Sequence, residues 1–400
     1  MVDNKKIGTF TLNNKEPIHR WYKYDEGYSR DFILNEIEKL PVKINSLFEP
    51  FAGSGTTPLV ASYLGINTYY TESNPFMRFV TNTKIEITRN TLLKKDAVFK
   101  ELRSLIDSVL LIEVKEQVVN NDFQKYYKSS VFNTLQDIKK LIANLNIYES
   151  KQLSYLALSA IVLTVSNMKK HGDLRYAKPE EKRNSDFDVI TKFINKLETI
   201  ISDIDDYQNV NFGKSVCVGN DARTANLPEK VDCIITSPPY LNGTNYIRNT
   251  KLELNILDFI VKESDLKNLH STGIISGINN VSKRNIVNNK INLLDDILKE
   301  LEPVSYDSRI SKMIVGYFND MDVFFKNAST LIKDQGIMII DIGDSQFAGV
   351  HIPTHNLLTE IAKKYNFQLY DEEILRKRYS KNKMILSQRV LRYQLKKDKQ

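Results

Sequence analysis

Apolar residues along this chain follow two rhythms. Residues 44–51 and 66–72 are short apolar runs that predict two buried strands, separated by the turn Gly53-Ser54-Gly55-Thr56-Thr57 and a helical run from Pro58 to Leu64. A strand, glycine-rich loop, helix, strand order is the signature of a parallel sheet. From about Lys84 to Asn209 the apolar positions fall at helical spacing, as in Leu102, Leu105, Ile106 and Val109 and again in Ile138, Ile142 and Leu145, with no Gly or Pro before His171. This predicts a helical insertion over residues 85–210 rather than more sheet. Strand patterns return at Ser215–Gly219, at Val231–Thr236 and, after a second helical segment, at Gly336–Ile342. Between Val261 and Tyr317 the chain is rich in Gly, Asn and Lys, as at Thr272-Gly273, Ser276-Gly277 and Lys283-Arg284, which reads as mobile loops with short helices. A helix near Asn356–Tyr365, a strand near Phe367–Tyr370 and another at Met384–Leu395 finish the pattern.

These elements predict an α/β protein with a mostly parallel, twisted sheet and helices on both faces. Residues 1–84 and 211–400 form its catalytic body, with the helical insertion between them and a loop-rich insertion at 261–315. A chain of 400 residues that is 42% hydrophobic has ample material for such a core. The longest apolar stretch, Tyr155 to Val165, is too short to span a bilayer, and Met1 to Lys6 has no apolar signal region behind it, so a cytoplasmic protein without membrane partners is expected. Cys217 and Cys233 both fall in β-like apolar runs and are expected as buried thiols rather than a disulfide. Five scattered histidines and these two cysteines offer no metal-ligand spacing.

The net charge of +7 favours a polyanionic partner. Its placement is more telling than its size. Lys169-Lys170-His171 with Arg175, Lys178, Lys182 and Arg183 makes one basic segment, and Arg376-Lys377-Arg378 with later cations loads the C-terminal part. Ser166 to Tyr176 mixes amide, cations and an aromatic at a glycine break, so Asn167, Lys169, Lys170, His171, Arg175 and Tyr176, with Lys283 and Arg284 downstream, are the candidates for contacting nucleic acid.

Candidate chemistry sits where the strands end. The loop Glu49-Pro50-Phe51-Ala52-Gly53-Ser54-Gly55-Thr56-Thr57 exposes glycine backbone to a ligand but lacks the third glycine of the dinucleotide fingerprint. The second strand ends in Thr71-Glu72-Ser73-Asn74. An acid about twenty residues after such a loop can accept hydrogen bonds from both hydroxyls of a ribose. Asp221-Ala222, after the third strand, offers an acceptor for an adenine amine or an ordinary helix cap. Thr236-Ser237-Pro238-Pro239-Tyr240 closes a buried strand. Its hydroxyl and a proline-stiffened carbonyl suit the two protons of a conjugated amine, and Tyr240 supplies a ring for stacking.

Phe48 to Thr57 together with Thr236 to Tyr240 resembles the amino-methylating DNA methyltransferases of bacterial restriction-modification systems. His19-Arg20-Trp21-Tyr22-Lys23-Tyr24 with Glu26 to Ser29 is similar to that family's N-terminal motif at the methionine end of the donor pocket, and Asp341-Ile342-Gly343-Asp344-Ser345 to its later loop beside the target base. The resemblance covers residues 17–84, 215–259 and 330–390. It implies a Rossmann-like class I methyltransferase fold, S-adenosylmethionine as donor, duplex DNA as substrate with the target base rotated outward, and a cognate restriction endonuclease acting separately. It makes Trp21, Tyr22, the loop Glu49 to Thr57, Glu72, Asn74, Asp221 and Ala222 the donor-binding set, and Ser237, Pro238, Pro239 and Tyr240 the catalytic set. In the family, serine at the first motif position goes mainly with cytosine N4, and Asp or Asn with adenine N6, which remains the alternative product. Methylation of RNA or of a protein amide, and a non-catalytic nucleic-acid binding module, are the more distant readings. Glu49 stands where the family usually has Asp, which leaves its contact to the methionine ammonium open.

Overall fold

In a computed structural model, the residues described are 4–118, 121–181, 188–207, 213–242, 244–270, 272–278, 281, 292–380 and 382–396. Their strands are β1 (Ser46–Glu49), β2 (Asn67–Thr71), β3 (Met168–His171), β4 (Asp173–Tyr176), β5 (Ser215–Gly219), β6 (Val231–Thr236), β7 (Ile332–Gly343), β8 (Ser345–Phe347), β9 (Val350–Ile352), β10 (Phe367–Tyr379) and β11 (Ile385–Leu395). Seven of them form one sheet in the order β10-β11-β7-β6-β1-β2-β5. The five from β7 to β5 are mutually parallel, and β11 and β10 run antiparallel at one edge. This is the Rossmann-like α/β fold expected.

The order contains a switch. From β1 the chain moves outward through β2 to β5, then returns to the other side of β1 to lay down β6 and β7. Between the carboxyl ends of β1 and β6 the connections diverge and leave a crevice, the usual ligand position in open α/β sheets. Both candidate motifs leave the sheet there.

Alternation along the central strands explains the two helical layers. Phe48, Ile234, Met338 and Ile340 face one side and pack with the helices Arg309–Leu331 and Thr354–Lys363. Leu47, Cys233, Ile235, Ile337 and Ile339 face the other, against Phe32, Ile33, Val60 and Ala61 of the helices Arg30–Glu38 and Thr56–Tyr63. Side chains of a strand alternate between faces, so each strand serves two cores. A third core is built by the helices Lys95–Leu110, Ser129–Ala143, Tyr148–Val162 and Val189–Asp205, within the span expected to be helical.

Several expectations require correction. Met168 to Tyr176 is a β-hairpin, not a loop, turning at Gly172 with φ of +77°. Cys233 is buried on central β6, but Cys217 is exposed, because β5 is the edge strand and one of its faces is uncovered. The strand expected near Phe367–Tyr370 runs on to Tyr379. The helix Arg309–Leu331 begins inside the stretch expected to be loops. Lys283 and Arg284 lie outside the described residues. Among the described residues, no helix is long and apolar enough to cross a membrane.

Asp203, at the end of the helix Val189–Asp205, holds the N-terminal segment onto this body. Its carboxylate is buried and accepts from the Ile18 amide at 2.9 Å and the Trp21 indole at 2.9 Å, and it pairs with Arg20. Removing the acceptor strands two buried donors and half of an ion pair, each a penalty of about 1–3 kcal/mol. Asp203→Ala is therefore expected to lower the urea-unfolding free energy by about 3 kcal/mol; a loss under about 0.5 kcal/mol would show that water replaces the carboxylate.

Candidate active site

The crevice is a cavity of about 280 Å³. One wall is the loop after β1, contributed by Pro50, Phe51, Ala52, Gly53, Ser54 and Thr56. Glu72 and Asn74 after β2, and Asp221 and Ala222 after β5, extend that wall. Ser237, Pro238, Pro239 and Tyr240, leaving β6, form the facing one. The two motifs thus share one space, as neighbours on paired strands whose register sets Leu47 opposite Cys233 and Phe48 opposite Ile234.

The remaining expected donor-binding residues lie outside this space and have structural partners. Trp21 is the core residue held by Asp203, and the Tyr22 hydroxyl donates to buried Glu253 at 3.0 Å. In their place the next residues of the same segment, Tyr24 to Tyr28, line the cavity. Gly55 packs against Thr81, and the Thr57 hydroxyl bonds Tyr28. Glu49 lies fully buried beneath the loop. It accepts from the Phe51 amide at 3.0 Å, from the Tyr28 hydroxyl at 2.6 Å and from the Thr236 hydroxyl. Burial raises its pKa to about 7, although all three donors favour the ionised form.

The glycines of the loop answer to the protein itself. Gly53 and Gly55 have φ of +52° and +81°, and a Cβ would meet the Tyr24 ring at 2.8 Å and Thr81 at 2.8 Å. Thr81 also donates to the Gly53 carbonyl at 3.1 Å. Lys84, buried on the π-turn Thr83–Ile87, donates to the Ser54 carbonyl at 3.1 Å. Burial lowers the Lys84 pKa to about 7. Two carbonyls of the loop are thereby tied down from behind by residues that no local motif reveals.

Glu72 accepts the Gly53 amide at 2.7 Å on one oxygen and the Asn74 amide at 2.8 Å on the other. Each oxygen keeps a lone pair for a ligand hydroxyl. Asn74 caps the helix Pro75–Asn82 and donates to Thr250, so its side chain is committed to the fold. Asp221 caps no helix: its carboxylate grips Arg223 at 2.7 and 2.9 Å. Asp341, at the end of β7, accepts from the Tyr240 hydroxyl at 3.0 Å and from Gln388 at 2.8 Å, and burial raises its pKa to about 6. The Tyr240 amide donates to the Tyr246 hydroxyl at 3.1 Å. Both ends of Tyr240 are held.

The hairpin β3–β4 stands beside this wall. Asn249, just past the acceptor motif, accepts from the Leu174 amide at 2.9 Å and donates to the Gly172 carbonyl at 2.8 Å. The hairpin's cations are already paired: Lys170 with Glu26 at 2.7 Å, Arg175 bidentately with Glu181 at 2.7 and 2.9 Å, and Lys169 with Glu181 at 3.5 Å. Tyr176 is half exposed against Tyr126, and the Asn167 backbone amide donates to the Tyr126 carbonyl. His171 pairs with Asp173 through the backbone at the hairpin tip.

The glycine loop and the Ser-Pro-Pro-Tyr turn thus face each other across one cavity at the switch point of a Rossmann-like sheet of the methyltransferase type. The comparisons agree with that class. The chain is 26% identical to the Type II methyltransferase M.BsoBI of Geobacillus stearothermophilus, over 91% of this chain and 81% of the relative. It is 27% identical to the Type II methyltransferase M.AvaI of a Nostoc strain, over 93% and 83%. It is 23% identical to the Type II methyltransferase M.MvaI of Kocuria varians, over 91% and 85%. Its homologues are thus Type II methyltransferases of restriction-modification systems. No family model matches the chain.

The raised pKa of Glu49 fixes the sign of one pH effect. Between about pH 4.5 and pH 7 the unfolded chain releases this proton while the folded chain keeps it, so stability falls as pH rises through that window. Glu49→Gln mimics the protonated acid, with its oxygen serving Phe51 and Thr236 and its amide donating to Tyr28. The variant is expected to lose less stability than the wild type between pH 5 and pH 8 in denaturant unfolding; equal losses would show that Glu49 does not titrate in this range.

Proposed function

We propose that this chain is a DNA methyltransferase that transfers the methyl group of S-adenosylmethionine to the exocyclic N4 amine of a cytosine rotated out of duplex DNA. The observation that carries the reading is the meeting of the glycine loop and Ser237-Pro238-Pro239-Tyr240 across one cavity at the switch point. The likeness to Type II methyltransferases over most of the chain supports it, and implies a restriction endonuclease acting separately on the same sequence. Ser237, rather than an Asp or Asn, carries the choice of cytosine N4.

The donor set fits a cationic nucleoside. Asp25, Glu26, Glu72, Asp221 and Asp341 line the cavity, against Arg376 and Arg378. S-adenosylmethionine supplies a methyl group on a positively charged sulfur. Glu72 holds its ribose through the lone pairs left free by Gly53 and Asn74, and Tyr24 and Phe51 give apolar surface beside it. On the facing wall, Ser237 Oγ and the Pro238 carbonyl accept hydrogen bonds from the two amine protons of the base. That draws the nitrogen lone pair out of conjugation and stabilises the charge that grows on it. The Tyr240 ring, pinned by Asp341 and Tyr246, stacks on the base without needing to be ordered first. The hairpin β3–β4, within 85–210, and the segment 261–315 are the parts that meet the duplex, in the cytoplasm where that DNA lies.

Incubating the protein with labelled donor and plasmid DNA, followed by nucleoside analysis, is expected to put label in N4-methylcytosine; label in adenine alone moves the product to N6-methyladenine. Gly343 tests the pinned ring. A Cβ there would lie 3.1 Å from the Tyr240 ring. Gly343→Ala is expected to lower kcat roughly ten- to a hundredfold, while affinity for S-adenosylhomocysteine by calorimetry stays unchanged. Unchanged kcat would show that the ring position is unimportant.

A further inference from the structure

Among the described residues that line the cavity, Arg376 and Arg378 are the only lysines or arginines. They come from β10, the antiparallel edge strand, rather than from either candidate motif. The β10–β11 ladder slips by one residue between Ile374 and Arg376, a bulge of the kind that re-aims side chains next to functional sites. The extra residue, Leu375, packs toward Gly8, where a Cβ would meet it at 3.0 Å. Arg376 is then set opposite Gln388 on β11, and cross-strand partners share a face. Gln388 donates to Asp341, and Asp341 accepts from Tyr240. A continuous row therefore runs from Arg376 to the acceptor wall.

The neighbouring arginines are engaged. Arg378 donates to the Asp344 carbonyl at 3.1 Å, Arg389 pairs with Glu372, and Arg392 is held by Glu36, Asp371 and Glu373. Arg376 is exposed and makes neither a hydrogen bond nor an ion pair with any described residue, although its charge acts on the nearby Asp341 carboxylate. A guanidinium that acts on Asp341 only through its charge still has all its hydrogen-bond donors to offer an anion that arrives with the substrate.

We infer that Arg376 binds a backbone phosphate flanking the nucleotide rotated into the cavity. The inference rests on the functional reading above and deepens it. A base turned outward carries its own phosphodiesters to the cavity mouth, where the carboxylates left without an ion pair among the described residues, Glu72 and Asp341, would otherwise repel them. A planar guanidinium offers two parallel donors to the phosphate oxygens and holds the rotated state by an interaction that the stacked duplex lacks.

Lys377 provides the matched control. It is exposed on the same strand, carries the same charge, points to the opposite face and does not line the cavity. Arg376→Gln and Lys377→Gln are compared with the wild type for methylation of plasmid DNA across a range of salt. They are also compared on a duplex carrying the site found by methylome sequencing, either matched or with a mismatch opposite the target base. Arg376→Gln is expected to raise KM for DNA about tenfold, to lower the slope of log KM against log salt by about one, and to leave S-adenosylhomocysteine affinity unchanged. The mismatch, which weakens the pairing that rotation must break, is expected to restore most of the rate lost by Arg376→Gln and to leave Lys377→Gln unaffected. Identical behaviour of the two variants overturns the assignment. So does a loss of S-adenosylhomocysteine affinity in Arg376→Gln, which would make Arg376 a ligand of the donor's carboxylate. A wild-type protein that methylates no DNA overturns the functional reading, and the assignment with it.

Discussion

One buried carboxylate holds the two halves of this site together. Glu49 ends β1, and it accepts from the loop that follows it through Phe51, from the acceptor strand β6 through Thr236 and from the N-terminal segment through Tyr28. Thr236 immediately precedes Ser237, and Phe51 lies two residues before Gly53. Displacing Glu49 would therefore shift both walls of the cavity. An apolar residue of the same volume would leave the buried Thr236 hydroxyl and the partly buried Phe51 amide without this acceptor, each costing up to about 1–3 kcal/mol, while the Tyr28 hydroxyl would keep Thr57. This explains an acid at the base of a crevice whose lining it does not join. The longer glutamate, in place of the family's usual aspartate, has reached protein partners.

The same economy of partners runs through the rest of the site. Loop carbonyls are tied from behind by Thr81 and Lys84, Glu72 is oriented by two amides, and Tyr240 is fixed at both amide and hydroxyl. Rigid walls matter for a reaction whose two reactants must meet in line, because alignment supplied before binding is not lost as entropy afterwards. The acids left on the cavity surface favour a cation, and the two arginines at its rim favour an anion.

What was legible in the chain follows from range. The two motifs could be read because each is a short buried strand followed at once by its chemistry, and parallel strands on either side of a switch point bring such ends together. The order of short apolar runs, glycine loop and helical spacings was enough to predict a mostly parallel sheet with helices on both faces, and the structure sets Phe48 and Ile234 on one face and Leu47 and Cys233 on the other. What escaped depends on partners far away in sequence. Trp21 is held by Asp203, 182 residues away, which accepts its indole, and the Ser54 carbonyl by Lys84, 30 residues on. Edge strands also hid themselves. Cys217 sits on an apolar run that the sheet leaves uncovered. The charges from Asp371 to Glu373 and from Arg376 to Arg378 disguised one long strand as a tail, although charge is how an exposed edge avoids pairing with other chains.

The hairpin β3–β4 shows why basic composition alone is a poor guide to a DNA face. Its lysines and arginine spend their charge on Glu26 and Glu181. Such pairs are still compatible with binding, because a partly exposed ion pair holds by only about 0–1 kcal/mol and a phosphate can take the carboxylate's place. Exchange of one anion for another returns less free energy than capture by an unpaired cation, however, and it leaves a carboxylate to be accommodated. A hairpin paired in this way would suit positioning better than tight holding, and it is itself held in place by Asn249. A duplex pressed against β3–β4 would be registered on the body of the protein through the two hydrogen bonds by which the Asn249 side-chain amide holds the Leu174 amide and the Gly172 carbonyl.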